Sequence, residues 1–223
     1  MKPAALAVQP LPTRVPGSEI NRKNYSMSDY QIYPPDSFRS MPWRNGLGHT
    51  IELLAEYLAQ STDFAWRLSM ADVVSDGRFS DFSGYDRTLL LLQGEGITLK
   101  HGNGQCDRLL EPLQAARFDG EVETEASLHA GPIKDFNVMA RRDFCSASVH
   151  TLLHATDAEI PVEGDILLVY AVDGAISLKS RSWSSITIES NHLCRINKPS
   201  AEKMTASGSA LIVIQIIYLG DKH

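Results

Sequence analysis

The feature that most constrains this chain is a succession of short apolar runs, each bounded by turn-forming residues. Residues 88–92 are followed by the turn at 94–96, and residues 97–99 by the turn at 101–104. Apolar runs joined by glycine- and asparagine-containing turns are typical of β-hairpins. Residues 66–73 alternate with the two-residue period of a half-buried strand. Many short strands with few helical segments predict an all-β sandwich or barrel.

One segment fits two kinds of element, and one end of the chain fits none. The apolar spacing of residues 51–58 suits a helix, but the strand pattern that follows favours a strand here as well. Residues 1–28 are rich in proline and small residues, which predicts a flexible leader.

Residues 166–178 repeat the layout of residues 89–99 in weaker form, with an apolar strand, an acidic glycine turn and alternating Ile and Leu. We therefore expect two related β-barrel halves, residues 29–145 and 146–223, packed together as one compact unit.

Composition limits the classes of partner. The chain of 223 residues has 21 Lys and Arg against 27 Asp and Glu, and no basic tract that could follow a phosphate backbone. Nucleic acid is therefore not an expected partner. The apolar run at residues 210–217 is much shorter than the roughly 20 residues that cross a bilayer, so no membrane span is predicted. Three isolated cysteines without a CxxC pair favour a reducing, cytoplasmic setting. A homodimer is left open.

Two loops are candidates for a binding site. Residues 77–87 carry Arg and Ser side chains and lead directly into the apolar run at 88–92, so functional groups would stand on a rigid strand. Residues 40–50 form a glycine-rich loop that carries aromatic and amide groups.

Five ordered motifs between residues 40 and 142 resemble those of a known family. They are Trp43-x-Asn45-Gly46-x-Gly48-x-Thr50, Trp66-Arg67-x-Ser69-x-Ala71, Gly77-x-Phe79-Ser80-x-Phe82-x-Gly84-x-Asp86-Arg87, Phe118-Asp119-Gly120, and Gly131-Pro132-x-x-Asp135-x-Asn137-x-Met139-x-Arg141-Arg142. Together they resemble the HutD/Ves family. The resemblance implies cupin-type jelly-roll barrels in a bicupin arrangement, and a link to bacterial histidine utilisation through binding of a pathway intermediate or limitation of flux. It implies no assigned reaction. Leu47 departs from the family's Asn-Gly-Gly-Gly loop and would narrow or stiffen the mouth of the site.

The histidines do not form a cupin metal motif. Cupin enzymes generally hold iron, manganese or nickel with a His-x-His pair, a carboxylate and a later histidine. This chain has no His-x-His, and Phe79-Ser80 stands where the first such motif would fall. His150 and His154 read as part of a strand, where four residues span roughly 13 Å, too far for one ion. We therefore predict no metal and no cofactor.

Two arginines predict that the ligand is an anion. Arg67 and Arg87 each lie in or beside an apolar strand, where an unpaired guanidinium is costly, so each requires an anion. The anion is either a protein carboxylate, with Asp86, Asp119 or Asp135 available, or the carboxylate of a small ligand.

Neutral groups nearby would orient such a ligand, and Phe79, with Trp43 and Trp66 as weaker candidates, would form an apolar wall. The predicted ligand-binding residues are Asn45, Thr50, Arg67, Ser69, Phe79, Ser80, Arg87, Asp135 and Asn137.

Two functions of different class follow. The first is a metal-free cupin-like protein that binds a small anionic metabolite of histidine catabolism, of the urocanate or formyl- or formimino-glutamate type, and acts as a sensor or regulator. The alternative is a metal-independent enzyme, an isomerase or hydrolase, that acts on the same metabolites through Asp135 or a histidine. A metal-dependent oxygenase is a third reading, which elemental analysis would test.

Overall fold

The strands of this chain are short, apart from two long ones near its end. The computed structural model describes residues 30–42, 49–59, 61–180, 185–197, 199 and 203–220. A 3-10 turn covers Pro35–Ser37, and no α-helix occurs in these ranges. The strands are β1 (Tyr30–Tyr33), β2 (Arg39–Pro42), β3 (His49–Tyr57), β4 (Phe64–Val73), β5 (Gly77–Arg78), β6 (Tyr85–Gln93), β7 (Ile97–His101), β8 (Cys106–Leu109), β9 (Ala115–Asp119), β10 (Thr124–Leu128), β11 (Ile133–Arg141), β12 (Cys145–Ile160), β13 (Ile166–Asp173), β14 (Ile176–Ser180), β15 (Ile186–Ile188), β16 (Leu193–Asn197) and β17 (Met204–Tyr218).

These strands form three sheets in the described part of the chain. A six-stranded sheet has the order β2-β3-β4-β11-β6-β9, and a four-stranded sheet has the order β5-β10-β7-β8. A seven-stranded sheet has the order β1-β16-β13-β17-β14-β15, with β12 paired to β17 as well. The all-β prediction is confirmed, and so is a strand in the segment 51–58, because residues 51–57 belong to β3, which pairs with both β2 and β4.

One predicted hairpin is wrong. The turn at residues 94–96 does not pair β6 with β7, because β6 lies in the six-stranded sheet and β7 in the four-stranded sheet. Gly94 and Gly96 have φ angles of +107° and +116°, which residues with a side chain rarely adopt, and they turn the chain from one sheet to the other. The turn at residues 101–104 does join a hairpin, formed by β7 and β8.

The six-stranded sheet is packed on both faces. Its strands β4, β6 and β11 place Trp66, Leu90 and Phe136 against the seven-stranded sheet, in one shared apolar core with Tyr170 and Ile212. The opposite face packs part of its length against the four-stranded sheet, through a second core that contains Leu89, Leu91, Ile97 and Leu99. The alternation of Leu89 and Leu91 with Leu90 is the two-residue period of a strand that is buried on both faces.

The far side of the seven-stranded sheet encloses a core of its own. Its members are aliphatic or small, among them Leu167, Val169, Ile176, Leu178 and Val213. The interior of the C-terminal half is therefore apolar, with aliphatic side chains packed together with Cys194 and Met204.

The predicted halves differ from the sheets at one point. The strand β1 falls within the predicted first half, yet it pairs with β16 in the seven-stranded sheet. The bicupin arrangement remains a prediction. The predicted leader at residues 1–28 lies outside the described residues, as do Trp43, Asn45 and Leu47. No helix in the described ranges is long and apolar enough to cross a membrane.

Candidate functional site

A cavity of about 680 Å³ opens on the face of the six-stranded sheet that lies beside the four-stranded sheet. Strands β3, β4, β6 and β11 form its floor, and residues 75–82 form a wall. Most of this wall belongs to residues 77–87, the polar loop that was predicted to lead into a buried strand. The volume falls within the range of roughly 300–1,000 Å³ that is usual for small-molecule sites.

Strand periodicity explains why polar groups meet there. On β4 the residues Arg67, Ser69 and Ala71 line the cavity, whereas the intervening Trp66 and Leu68 enter the apolar core behind. On β11, Asp135, Asn137 and Met139 line it in the same way. Asn137 stands opposite Ser69, and Met139 stands opposite Arg67 on one side and Arg87 on the other. The sheet thus has an apolar back, and the part of its opposite face that lines the cavity forms a polar front.

Most of the predicted ligand-binding residues meet in this one cavity. Eight of them line it: Thr50, Arg67, Ser69, Phe79, Ser80, Arg87, Asp135 and Asn137. Asn45, the ninth, lies outside the described residues. The structure therefore brings together side chains from five separate stretches of the chain, while their contact with a ligand stays a prediction.

Arg87 is buried without a carboxylate partner. Its exposed fraction is 6%, and its Nη2 donates a hydrogen bond to Asn137 Oδ1 at 3.0 Å. A long contact of 3.4 Å joins Nη1 to the carbonyl oxygen of Ser80, and Nε has no hydrogen-bond partner in the described structure. Burial lowers the pKa of this guanidinium to about 10, against the attraction of Asp135. Its donor capacity is therefore only partly used.

Three aromatic rings surround that guanidinium. Its Cζ lies 5.2 Å from the ring centre of Phe79, 5.4 Å from that of Phe82 and 5.0 Å from that of Phe118. Contacts of a cation with ring faces are worth about 0.5–2 kcal/mol each. They hold the cation in place without neutralising it.

Arg67 is held even more weakly. Its polar contact is from Nη2 to Met139 Sδ at 3.5 Å, and its buried Nε has no partner among the described residues. Its Cζ lies 4.7 Å from the Phe64 ring centre and 5.2 Å from that of Phe82, so Phe82 contacts both arginines. Burial lowers the pKa of Arg67. Among the described residues, no carboxylate forms an ion pair with either arginine, for which the distance limit is 4.0 Å.

The acid on β3 that attracts Arg67 already has other partners. Glu52 forms an ion pair with Arg39 at 3.0 Å and accepts a hydrogen bond of 2.7 Å from the Tyr57 hydroxyl. It still attracts Arg67, and this attraction opposes the lowering of the Arg67 pKa. The positive charge of Arg67 is therefore left facing the cavity.

Asp135 is the carboxyl group on the cavity floor. It is 2% exposed, and its Oδ1 accepts a hydrogen bond of 3.2 Å from Asn137 Nδ2. Burial raises the pKa of Asp135 to about 7, although Arg87 and Asn137 favour the ionised form and Asp72 disfavours it. Asn137 thus links the two groups, with its oxygen toward Arg87 and its nitrogen toward Asp135.

Two of the predicted counter-ions are wrong. Asp86 and Asp119 both pair with Arg142 Nη1 at 3.1 Å, and neither forms an ion pair with Arg67 or Arg87. Glu121 joins the same cluster through Arg142 Nη2. Asp86 precedes Arg87 on β6, and neighbouring strand residues point to opposite faces.

Trp66 is a further correction. It was a candidate for the apolar wall, but it is 0% exposed in the core behind the sheet, where its Nε1 donates to the Tyr218 hydroxyl at 3.0 Å. Its position is one residue before Arg67, so the strand directs it away from the cavity.

Phe82 and Met139 line the cavity but are not among the ligand-binding residues predicted from the sequence. Both belong to the family motifs, and Met139 shares the alternation of Asp135 and Asn137 on β11. That alternation was the available signal for Met139. For Phe82 the sequence offers no such pattern, because its ring contacts arginines from two different strands.

The described residues contain no group of three or more His, Cys, Asp and Glu side chains that could hold a metal ion. His150 and His154 both lie on β12, as expected, and neither lines the cavity.

Comparison with known proteins decides the family. The HutD family profile matches residues 35–214. The chain belongs to the HutD family. The matched range includes the polar front of the six-stranded sheet and most of the seven-stranded sheet.

Curated relatives agree with this family. An uncharacterised 21.2 kDa protein in the hutC 3' region of Pseudomonas putida is 40% identical over 113 residues, which cover 51% of this chain and 59% of the relative. Protein Ves of Escherichia fergusonii is 37% identical over 115 residues, covering 50% and 59% respectively. The chain thus spans about three-fifths of the length of these relatives.

Solved structures show that the fold is cupin-like. HutD from Pseudomonas fluorescens SBW25, solved in a formate condition, superposes with a TM-score of 0.73 at 24% identity, covering 86% of this chain and 100% of that one. The nickel(II) complex of the bacterial pirin YhhW from Escherichia coli superposes with a TM-score of 0.55 at 9% identity, covering 85% and 99%. At these identities the likeness concerns the fold alone.

Proposed function

We propose that this protein binds a small anionic metabolite of histidine catabolism in the cavity, of the urocanate or formyl- or formimino-glutamate type, and acts as a sensor or regulator of histidine utilisation. One observation carries the proposal. Two guanidinium groups, of the buried Arg87 and the half-buried Arg67, face one cavity without a carboxylate partner among the described residues, and each keeps a buried, unused Nε donor.

The physical reason is the cost of isolated charge. Removing an ion from water costs several kcal/mol unless an opposite charge and hydrogen bonds replace the water. The rings around Arg67 and Arg87 supply part of that replacement, and a ligand carboxylate would supply the rest through two parallel N–H···O bonds. Thr50 and Ser69, which also line the cavity, would give neutral hydrogen bonds to the remainder of the ligand.

The histidine pathway enters through the names of relatives. The Pseudomonas putida relative is encoded in the hutC 3' region, and the matching family carries the name HutD. These names support histidine catabolites as the first compounds to test. They leave the individual metabolite open.

The experiment is a thermal-shift panel with urocanate, N-formylglutamate and N-formiminoglutamate, and with imidazole as a ligand that lacks a carboxylate. We expect the carboxylates to raise the melting temperature and imidazole to leave it unchanged. A ligand at 100 times its dissociation constant adds about 2.7 kcal/mol to the free energy of unfolding. No shift with any carboxylate at millimolar concentration would overturn the proposal.

A metal-independent isomerase or hydrolase is the second candidate, and Asp135 is the observation that favours it. A carboxyl group that lines a cavity with a pKa of about 7 suits general acid–base catalysis near neutral pH. Incubation with the same three metabolites, followed by NMR, tests this function. Turnover that the Asp135→Asn variant lacks would establish an enzyme, and unchanged spectra would leave the binding function. Elemental analysis of the same sample tests the predicted absence of a metal.

A further inference from the structure

We propose that anion binding in this cavity is coupled to the uptake of one proton by Asp135. The inference rests on the proposed function, since it requires a bound anion, and it adds a form of regulation by pH. Its basis is the arrangement of one buried carboxyl group and two incompletely paired guanidinium groups around a single space.

The geometry keeps Asp135 close to Arg87 without an ion pair. Asn137 lies between them, accepting from Arg87 Nη2 at 3.0 Å and donating to Asp135 Oδ1 at 3.2 Å. The carboxylate is therefore stabilised by hydrogen bonds from Asn137 and from the backbone of Ala71 and by the attraction of Arg87 at a distance, and not by contact with the guanidinium. With its exposed fraction of 2%, it has little water to replace that attraction.

A bound anion changes this balance. An anion that pairs with Arg67 and Arg87 offsets the positive charge that favours ionised Asp135, and it adds a second negative charge in the same poorly solvated space. When two carboxylates share a site, keeping both of them ionised is costly, so the pKa of one of them rises. Asp135 then takes up a proton, and its O–H becomes a hydrogen-bond donor that faces the cavity.

Other charged groups surround Asp135 and could contribute to a pH dependence. On β4 these are Arg67 and Asp72, on β6 Arg87, on β3 Glu52 and His49, and on the cavity wall Asp76 and Arg78. Asp72 pairs with His49 at 3.6 Å and with Lys134 at 3.6 Å. Because an imidazole changes its charge between about pH 5 and 8, His49 is the group that a test must separate from Asp135.

The test measures the affinity of the purified protein for glutarate, whose carboxyls stay ionised between about pH 6.5 and 9. Isothermal titration calorimetry near pH 8 in Tris and in triethanolamine, two buffers of different ionisation enthalpy and without anionic groups, also counts the protons taken up. The variants are Asp135→Asn, which cannot ionise, and His49→Gln as the control. Affinity is measured on each at several pH values.

The sign follows from linkage. Since the bound form holds one more proton, the dissociation constant should stay constant below the pKa of Asp135 and rise about tenfold per pH unit above it. We expect uptake of close to one proton near pH 8 for the natural protein and for His49→Gln, and pH-independent binding for Asp135→Asn. Proton uptake in the natural protein is measured without any variant, so a failure of Asp135→Asn to fold does not remove the test.

The remaining outcomes separate this inference from the proposed function. Glutarate binding with equal heats in both buffers and a constant affinity would overturn the proton coupling and leave anion binding intact. A pH dependence that persists in Asp135→Asn but disappears in His49→Gln would overturn the assignment to Asp135. Absence of glutarate binding by the natural protein at every pH would overturn the proton coupling, whereas the proposed function is decided separately by the thermal-shift panel of histidine catabolites.

Discussion

Arg67 and Arg87 have the same residue type and face the same cavity, yet they are fixed by different means. Arg87 donates to Asn137 and is surrounded by three rings, whereas Arg67 has a contact with sulfur and two rings. Replacement of Arg87 would leave Asn137 Oδ1 without its donor. Replacement of Arg67 leaves no described oxygen acceptor without a partner.

This difference predicts the result of Arg67→Met. We expect the free energy of unfolding to stay the same or to increase by about 1–2 kcal/mol, because a buried charge is exchanged for an apolar side chain of similar length. Anion affinity should fall at least about tenfold with the loss of a charge-assisted hydrogen bond. Urea denaturation and titration with glutarate measure the two quantities.

Arg141→Met is the matched control for that variant. Arg141 is also half-buried, but it pairs with Asp63 at 3.0 Å and with Asp143 at 2.9 Å outside the cavity. Its replacement should cost about 0–1 kcal/mol of stability and leave affinity unchanged. Equal losses of affinity in Arg67→Met and Arg141→Met would contradict a role of Arg67 in the site.

Asp135 makes stability depend on pH in an unusual direction. Its pKa is about 7 in the folded protein and about 3.9 when unfolded, so the folded state holds more protons between these values. Stability contributed by this group is therefore present at low pH and is lost as the pH rises from about 4 to 7. We expect Asp135→Asn to gain stability relative to the natural protein at pH 8 but not at pH 4. Urea denaturation at both pH values checks this, and equal differences at the two would contradict it.

Much of the site could be predicted from single residues, because residue type and strand alternation depend only on neighbours in the sequence. Arginine beside an apolar strand signals a buried charge, and two-residue alternation tells which neighbours share its face, as with Arg67 and Ser69. The partners could not be predicted in the same way. Asp86 is adjacent to Arg87 in sequence and points away from it, whereas Asn137 is fifty residues distant and touches it.

At the level of elements, the strands were easier to predict than their pairing. The turn at residues 94–96 has hairpin composition, but it carries the chain between two sheets. Turn residues report the local backbone conformation, while the choice of sheet depends on long-range contacts of β6 with β11 and of β7 with β10. The same limit applies to β1, whose partner β16 lies far along the chain.

The connection that follows β9 positions the wall of the cavity. Gly120 donates to the Tyr85 carbonyl at 2.7 Å and accepts from the Phe82 amide at 2.9 Å. A Cβ at residue 120 would collide with the Phe82 carbonyl oxygen, a backbone atom that cannot move alone. The glycine is therefore required by close approach of two backbone segments.

We expect Gly120→Ala to cost about 1–3 kcal/mol of stability, because the segment that bears Phe82 must shift. Anion affinity should fall with it, since the Phe82 ring contacts both arginines. Gly102→Ala is the control, because Gly102 lies outside the cavity and an added Cβ there meets only Glu123, at an ordinary contact distance of 3.5 Å. Thermal denaturation and glutarate titration compare the two variants, and equal stability would show that the wall accommodates the methyl group.

At the scale of the whole molecule, the apolar core between the six- and seven-stranded sheets joins the two halves of the chain. Trp66 and Phe136 come from one side, Leu168 and Tyr170 from the other, and all are almost fully buried. The two halves therefore share a core and do not merely touch, although their division at residues 145 and 146 remains a prediction.

A shared core predicts one cooperative unfolding transition. Leu168→Ala should lower the free energy of unfolding by about 2–5 kcal/mol and move the whole transition, because it removes buried contacts between the sheets. Leu153→Ala, at a position that is 56% exposed on β12, should change it by less than about 0.5 kcal/mol. Urea unfolding followed by circular dichroism and by fluorescence tests this. Two separate transitions for Leu168→Ala would show that the halves unfold independently.

The apolar back of the six-stranded sheet also has a consequence for evolution. Because Trp66, Leu68 and Phe136 pack in the core behind the sheet, substitutions of front residues that carry no buried hydrogen-bond network, such as Ala71 and Met139, alter what the cavity accepts at modest cost to folding. Sequences that keep the back pattern can therefore diverge at the front. Proteins with this scaffold can acquire new ligands by changing a few alternate residues on β4 and β11, without rebuilding the architecture that supports them.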